Sequence, residues 1–272
     1  MKTYKRVLTI AGSDSGGGAR IQADLKTISS LGCYGTSVIT AITAQNTIGV
    51  TAIHPVPPEI VGKQLDAVLS DIGTDAIKIG MLHSAEIIKT VASALKKFRL
   101  KKIVLDPVMV ATSGDKLIED HTVDALIGYL FPLAEIITPN IPEAEILTGS
   151  KILTRDDMND SAIELLTYGS SSVLLKGGHL KGDVLYDIYV HRDRKDSIRI
   201  FNNKFINTNN VHGTGCTLSS AIASFMAHGE ATEIAVEKAI IYLHGAIQYG
   251  MNYATGHGHG PVNHFFNPQK LI

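Results

Sequence analysis

Short continuous apolar runs recur along the chain: VLTIAG at 7–12, TSVITAIT at 36–43, AIKIGM at 76–81, KIVLDPV at 102–108, EIITPN at 135–140 and SVLLKGG at 172–178. None alternates strictly between apolar and polar positions, as a strand with one wet face would. They predict strands buried on both faces, the habit of parallel sheets covered by helices. Helical spacing fills the intervals. In EIVGKQLDAVLSDI it places Ile60, Leu65, Val68 and Leu69 on one side; in AEIIKTVASALKKF it places Ile87, Ile88, Val91, Leu95 and Phe98 together. The alternation predicts an α/β fold with a mainly parallel central sheet. Residues 184–206, VLYDIYVHRDRKDSIRIFNNKFI, break the rhythm and predict an antiparallel hairpin around a charged turn. Two helices are predicted to follow, at about 215–228 and 231–250. No repeat, low-complexity tract or linker interrupts the pattern, so residues 1–272 read as one domain. In open α/β sheets, ligands sit at the carboxyl ends of the strands. The residues just after each run are therefore where chemistry is expected.

Composition narrows the class. The 272 residues are 44% hydrophobic, enough for one substantial core or two modest ones. The formal net charge of −1 argues against a general nucleic-acid binder. No apolar run approaches the roughly 20 residues that span a bilayer. The opening MKTYKRVLTIAGSD has neither the apolar length nor the cleavage pattern of a signal peptide. The expectation is a cytoplasmic protein with no membrane partner. Two cysteines, Cys33 and Cys216, cannot form a disulfide framework and are expected to be free thiols.

The first strand end opens into AGSDSGGGARIQADLKT, residues 11–27. Gly12 and Gly17 have P-loop spacing, yet Gly18 stands where the lysine belongs. Gly16 and Gly18 begin a dinucleotide fingerprint whose third glycine is replaced by Ile21. The loop is either a close-approach surface for a ligand or a tight connection without one. In HGTGCTLSSA, 212–221, Gly213, Thr214 and Gly215 lead into a helix whose free amides and dipole suit an anion. Cys216 falls in that first turn, where a thiol pKa tends to drop; the alternative is an ordinary helix start with a buried cysteine. LDPVMVATSGD, 105–115, puts Asp106 after a strand, and TPNIPEAEILTG, 138–149, does the same for Asn140 and Glu143. Such carboxylates can hold Mg²⁺, which takes few protein oxygens plus phosphate and water; they also suit helix caps. In LLKGGH, Lys176 can neutralise a phosphate or simply be a solvated strand end. GHGHGPVNH contains His257, His259 and His264. Without cysteines or acids nearby it reads as a flexible C-terminal segment near a ligand cleft rather than a metal site. Together, these features suit phosphoryl transfer from a metal nucleotide to a small alcohol, where catalysis is mainly positioning and charge neutralisation.

In order along the chain, GSDSGGGA, IQADLKT, AITAQNT, LDAVLSDI, KIGML, LDPVMVA, SGD, TPNIPEAE, KGGH, HGTGCTLS and GHGPVNHF resemble the hydroxymethylpyrimidine/phosphomethylpyrimidine kinases of thiamine biosynthesis. That family lies within the ribokinase-like superfamily, and the resemblance runs from about Arg6 to Phe265. It implies a three-layer ribokinase-like sandwich with a small antiparallel hairpin. It implies ATP-dependent phosphorylation of 4-amino-5-hydroxymethyl-2-methylpyrimidine to the monophosphate and then the diphosphate, Mg²⁺ as cofactor and a homodimer. By the same resemblance Gly12, Asp24, Gln45, Met81, Val108 and Cys216 build the pyrimidine pocket. Gln45 is the informative member, because its amide both donates and accepts toward an aminopyrimidine edge. Asp106 and Glu143 organise the metal, Asn140, Thr214 and Lys176 the nucleotide phosphates, and Gly213 to Cys216 an anion hole. The fourth position of that hole is an aspartate base in many ribokinase-like enzymes and a cysteine here. The chain departs from the family at Arg20, where glycine is usual. Either the loop is altered or the cation reaches the phosphorylated intermediate.

The nearest competing reading is a pyridoxal kinase of the same architecture, against which Gln45 and AITAQNT stand. A non-catalytic pyrimidine sensor would need neither Asp106, Glu143 and Lys176 nor an anion hole at Cys216. A dinucleotide-dependent oxidoreductase is disfavoured by the broken glycine fingerprint.

Overall fold

The computed structural model describes residues 2–109, 120–178, 184–195 and 197–271. Residues 110–115 of the Asp106 stretch and His179 of LLKGGH lie outside the described residues. The first half of the chain runs β1 (Arg6–Asp14), α1 (Arg20–Ser30), β2 (Tyr34–Gln45), β3 (Val50–Pro55), α2 (Pro58–Ala67), β4 (Ala76–Ile79), α3 (Ala85–Lys97), β5 (Ile103–Leu105) and α4 (Asp120–Ala125). It continues with β6 (Ile136–Ile137), α5 (Ile141–Thr148), α6 (Arg155–Leu166), β7 (Ser172–Leu175), β8 (Val184–His191), β9 (Arg199–Lys204), α7 (Thr214–Ala227) and α8 (Thr232–Gly250). Among the described residues these strands form one sheet of nine in the order β3-β2-β1-β4-β5-β6-β7-β8-β9. β1, β2, β4, β5, β6 and β7 pair in parallel; β3, β8 and β9 are antiparallel.

The continuous apolar runs follow from a sheet covered on both faces. Val7, Ala76, Val104, Ile136 and Leu174 pack with α1, α7 and α8 through Ile28, Leu218, Ile222, Val236 and Ile240. Their strand neighbours Leu8, Ile77, Leu105, Ile137 and Val173 face the other way, against Leu65, Ile87, Val91, Leu95 and Leu165 of α2, α3 and α6. This is the expected three-layer sandwich. Among the described residues no helix is long and apolar enough to cross a membrane.

Several local expectations shift. α2 stops at Ala67 and continues as a wide turn through Val68–Ile72. Ile60, expected on its buried side, is 39% exposed, and Val61 is buried in its place. β3 carries no burial pattern because every residue in it is exposed. α5 and α6 are announced by capping boxes rather than periodicity: Asn140 with Glu143, and Thr154 with Asp157. The hairpin around 184–206 is β8 and β9, and the two late helices fall within a residue of their expected limits.

The topology places the chemistry. β4, β5, β6 and β7 lie side by side, and their ladder bonds continue past the strand ends: Asp106 N to Ile79 O at 2.8 Å, Thr138 N to Leu105 O at 2.9 Å, and Lys176 N to Pro139 O at 2.9 Å. Asp106, Thr138 and Lys176 therefore emerge on one edge from neighbouring strands. Between Ala11 and Ser13 the β1–β2 register slips, so that two residues of β2 oppose Gly12. Such bulges open space beside active sites.

Candidate active site

The glycine-rich loop is organised from within by Asp14. Its carboxylate accepts from the amides of Gly16 (2.8 Å), Gly18 (3.2 Å) and Ala19 (2.9 Å), and it lies 3.0 Å from His212 Nε2. Burial works to raise this carboxyl, but the His212 contact and the loop amides outweigh it and hold it below the usual range. Those loop amides are thus occupied by Asp14 rather than free to cradle a phosphate. A Cβ on Gly18 would lie 2.4 Å from the His212 ring, and one on Gly213 would lie 1.9 Å from the Gly18 carbonyl oxygen. Gly213 also has φ +81° as the residue that caps α7. The two glycine stretches are glycine because their backbones touch.

That contact seats the first turn of α7 over the strand ends. A Cβ on Gly215 would lie 3.5 Å from both Asp106 Oδ2 and Lys176 Nζ. The first turn of the helix, a carboxylate and an ammonium thus meet at Gly215. Lys176 Nζ is 2.9 Å from Asp106 Oδ1, which also accepts from Thr138 Oγ1 at 3.0 Å. Burial would raise Asp106; Lys176, then Lys78, outweigh it and keep it ionised. Burial would lower Lys176, yet Asp106 and Glu143 hold it charged. Glu143 Oε2 accepts from Asn140 N at 2.8 Å, while Asn140 Oδ1 accepts from Glu143 N at 2.9 Å. The cap and the strand-end acid are the same pair of residues. Burial pushes the Glu143 carboxyl up to about 7, with Lys176 opposing the rise and Asp106 adding to it. Two neighbouring carboxyls, Asp106 held low and Glu143 raised, beside an anion-seeking helix end fit a divalent cation, which needs only one or two protein carboxylates when phosphate and water complete its shell.

Cys216 sits in this turn, its Sγ accepting from Arg20 N at 3.3 Å. The expected drop in its pKa does not occur. Burial raises the thiol, with Asp24 and Asp106 adding to the rise, and Lys78 and the Arg20 amide do not offset them. Thr214 is the first residue of α7. Gln45 closes β2 with its amide loosely held, Nε2 at 3.4 Å from His212 Nε2 and Oε1 at 3.2 Å from Thr43 Oγ1. Gly12 and Met81 meet the Arg20 guanidinium, which lies 3.4 Å from Met81 Sδ. Val108 is half-buried two residues beyond Asp106.

Asp24 stands apart. It is fully buried, its oxygens engaged by Thr9 Oγ1 (2.6 Å), Ser220 Oγ (2.7 Å) and Lys78 Nζ (2.9 Å). His257 and His259 are exposed, whereas His264 is buried against Thr217 Oγ1 at 3.1 Å. Among the described residues no three histidine, cysteine, aspartate or glutamate side chains converge as metal ligands. The glycine-histidine segment is instead tied down by Gly258 N to Thr47 Oγ1 (3.2 Å) and His259 N to Thr47 O (3.0 Å). Asp14, His212, Thr138 and Lys78 are site residues that the sequence reading did not assign. Only Lys78 carried a local signal, a charge inside an apolar run, which is rarely buried without a partner.

The phosphomethylpyrimidine kinase family model matches residues 14–263. The chain belongs to this family. It is 51% identical over 259 residues to the hydroxymethylpyrimidine/phosphomethylpyrimidine kinase of Rhizobium meliloti, covering 95% of this chain and 96% of that one. It is also 51% identical over 270 residues to a thiamine biosynthesis bifunctional protein of Geobacter sulfurreducens, covering 97% of this chain and 53% of that one. The chain thus spans about half the length of the bifunctional relative. Among solved structures it is similar to an ADP complex of Bacillus subtilis pyridoxal kinase, with TM-score 0.89 and 34% identity over 96% of this chain and 98% of that one. As a kinase of the phosphomethylpyrimidine family, the chain should be sensitive to any atom added at Gly215. Gly215→Ala meets only ordinary van der Waals contacts at 3.5 Å, so it should fold normally. Its methyl would nevertheless fill the volume between helix, Asp106 and Lys176, and kcat should fall roughly 10²–10³-fold. Wild-type turnover in a folded Gly215→Ala protein would place phosphoryl transfer elsewhere.

Proposed function

We propose that residues 1–272 act as one kinase domain that phosphorylates 4-amino-5-hydroxymethyl-2-methylpyrimidine with ATP, giving the monophosphate and then the diphosphate in thiamine biosynthesis. The observation that carries this reading is the meeting of Asp106, Lys176 and the α7 N-terminus around Gly215. A group transferred there gains charge on its equatorial oxygens, and fixed amides and an ammonium meet that charge without reorganising. In this reading Gly213, Gly215 and Cys216 cradle the moving phosphoryl group, and Lys176, Asn140 and Thr214 hold the nucleotide side. Asp106 and Glu143 would hold Mg²⁺, which when bound neutralises the phosphate charge.

The substrate oxygen attacks phosphorus as the bond to ADP breaks. With the alcohol, the hydroxyl proton passes to an oxygen of the transferred phosphoryl group and from there to solvent, while the ionised monophosphate attacks through a phosphate oxygen with no proton to lose. The raised Cys216 thiol is protonated at rest, so it is not a standing thiolate base; a loose transition state requires little early proton removal. In this reading Gln45 reads the ring; its amide is available because its protein contacts are long. The homodimer remains part of the proposal: Ile42, Ile48, Val50 and Ile53 expose apolar area on the β2–β3 edge, suited to a second copy.

The test is phosphate transfer from ATP with Mg²⁺ to the pyrimidine alcohol, its monophosphate and pyridoxal in parallel. Both pyrimidines should be used well and pyridoxal poorly. Gln45→Met leaves the aminopyrimidine edge unpaired, which costs about 1–3 kcal/mol, so the pyrimidine-to-pyridoxal ratio of kcat/KM should fall about tenfold or more. Preference of the unaltered enzyme for pyridoxal would overturn the reading.

A further inference from the structure

Arg20 is the residue whose surroundings demand a missing partner. It opens α1 with φ +56°, a left-handed conformation that disfavours any residue with a Cβ and persists where surroundings compensate. Its side chain does not run into solvent. It lies over Gly12, where a Cβ would come within 2.7 Å of Arg20 Nη1, and against Met81 Sδ at 3.4 Å. Its backbone amide is bonded to Cys216 Sγ. The cation is therefore lodged between the residues proposed to flank the pyrimidine and the helix turn proposed to receive phosphate.

A guanidinium has five N–H donors. Among the described residues the side-chain acceptor its guanidinium meets is the Met81 thioether, and Asp14 reaches it only through space rather than by a hydrogen bond. Burial still lowers its pKa. A largely buried cation whose carboxylate neighbour acts only through space, with no direct ion pair among the described residues, favours an anion that completes it. The pyrimidine alcohol brings no charge. The monophosphate brings about −1.5 to −2 at neutral pH, and one of its phosphate oxygens is the nucleophile of the second transfer.

Resting on the substrate reading above, we propose that Arg20 is a specificity residue that binds the phosphate ester of the pyrimidine monophosphate, biasing this enzyme toward the second phosphorylation. Planar, bidentate N–H groups suit a phosphate better than a point charge does. The neutral alcohol, by contrast, must share the pocket with an unpaired cation.

Steady-state kinetics with the alcohol and the monophosphate should be measured for the unaltered enzyme, Arg20→Gly, Arg20→Met and Arg20→Lys. The kcat/KM ratio of monophosphate to alcohol should fall roughly 10–100-fold in Arg20→Gly and Arg20→Met, mainly through a higher KM for the monophosphate. Arg20→Lys should recover part of it. Arg20→Gly relieves the left-handed backbone and should melt no lower than the unaltered protein; Arg20→Met keeps that backbone and separates charge from strain. Calorimetric binding of the monophosphate without nucleotide should weaken in parallel and with added salt. An equal loss on both substrates, or a loss confined to KM for ATP, would assign Arg20 to the loop or to the nucleotide and overturn the proposal. If the unaltered enzyme phosphorylates neither pyrimidine, the substrate reading itself fails; if it uses both and the ratio is constant across the variants, only the role of Arg20 fails.

Discussion

Asp106→Asn should yield a folded protein whose kcat is lower by roughly 10²–10³-fold, the range for removing one preorganised charge at a reacting centre. Asparagine keeps the volume, and its carbonyl oxygen can still accept from Thr138. What disappears is the charge that Lys176 pairs at 2.9 Å. Glu143 also loses a neighbour that raises its pKa, so the remaining acid ionises more readily but stands alone. A divalent cation would then have one charged carboxylate instead of two. The rate should require more Mg²⁺ for half-saturation, and KM for the nucleotide should rise. Circular dichroism and thermal melting establish that the fold is kept; a Mg²⁺ titration of the rate supplies the decisive reading. Turnover and Mg²⁺ dependence like those of the unaltered enzyme would remove Asp106 from the site.

Lys78→Met should be the most destabilising of these changes, by about 3–5 kcal/mol. Lys78 and Asp24 are both fully buried, with Nζ 2.9 Å from the carboxylate. Burial alone would lower the lysine pKa, but the Asp24 charge, aided by Cys216 and Asp106, holds it above its ordinary value. The pair does not guarantee stability, since apolar residues of equal volume often serve as well. Removing one partner is another matter, because it strands a buried carboxyl, already raised by burial, with Thr9 and Ser220 as its remaining side-chain partners among the described residues. The melting temperature should drop on the order of 10 °C. Lys78→Met combined with Asp24→Asn removes the stranded charge and should recover more than half of the loss. If Lys78→Met alone melts like the unaltered protein, the pair contributes nothing that its apolar replacement cannot.

The two outcomes separate parts of the molecule that differ in how openly the sequence declares them. Asp106, Glu143 and Lys176 announce themselves by position, each following a run of apolar residues that must be a buried strand. Lys78 shows only as a charge inside such a run, and nothing local names Asp24 as its partner. Asp14 and His212 are 198 positions apart, and neither looks unusual alone. β3 was invisible for a different reason. All its residues are exposed, so burial imposed no pattern on them. Ile60 and Val61 show the limit of helical spacing: adjacent residues compete for one buried direction, and the final tilt of α2 chose Val61.

The sequence by itself determined the layered α/β architecture, because strands covered on both faces must be apolar throughout and the intervening helices must carry one apolar side. It determined the places where chemistry collects, because backbone direction carries each strand end to the same edge. Only the tertiary structure decided the electrical state of those groups. Cys216 sits in a helix first turn, which by itself lowers a thiol pKa, yet burial and the carboxylates of Asp24 and Asp106 raise it. Glu143 looks like any first-turn acid, yet burial beside Asp106 brings it to about 7. Arg20 looks like a surface residue of a glycine-rich loop, yet its side chain is folded inward against Met81. In each case the deciding quantity is the sum of desolvation and charges contributed by segments distant in the chain, and that sum exists only once the strands and helices have packed.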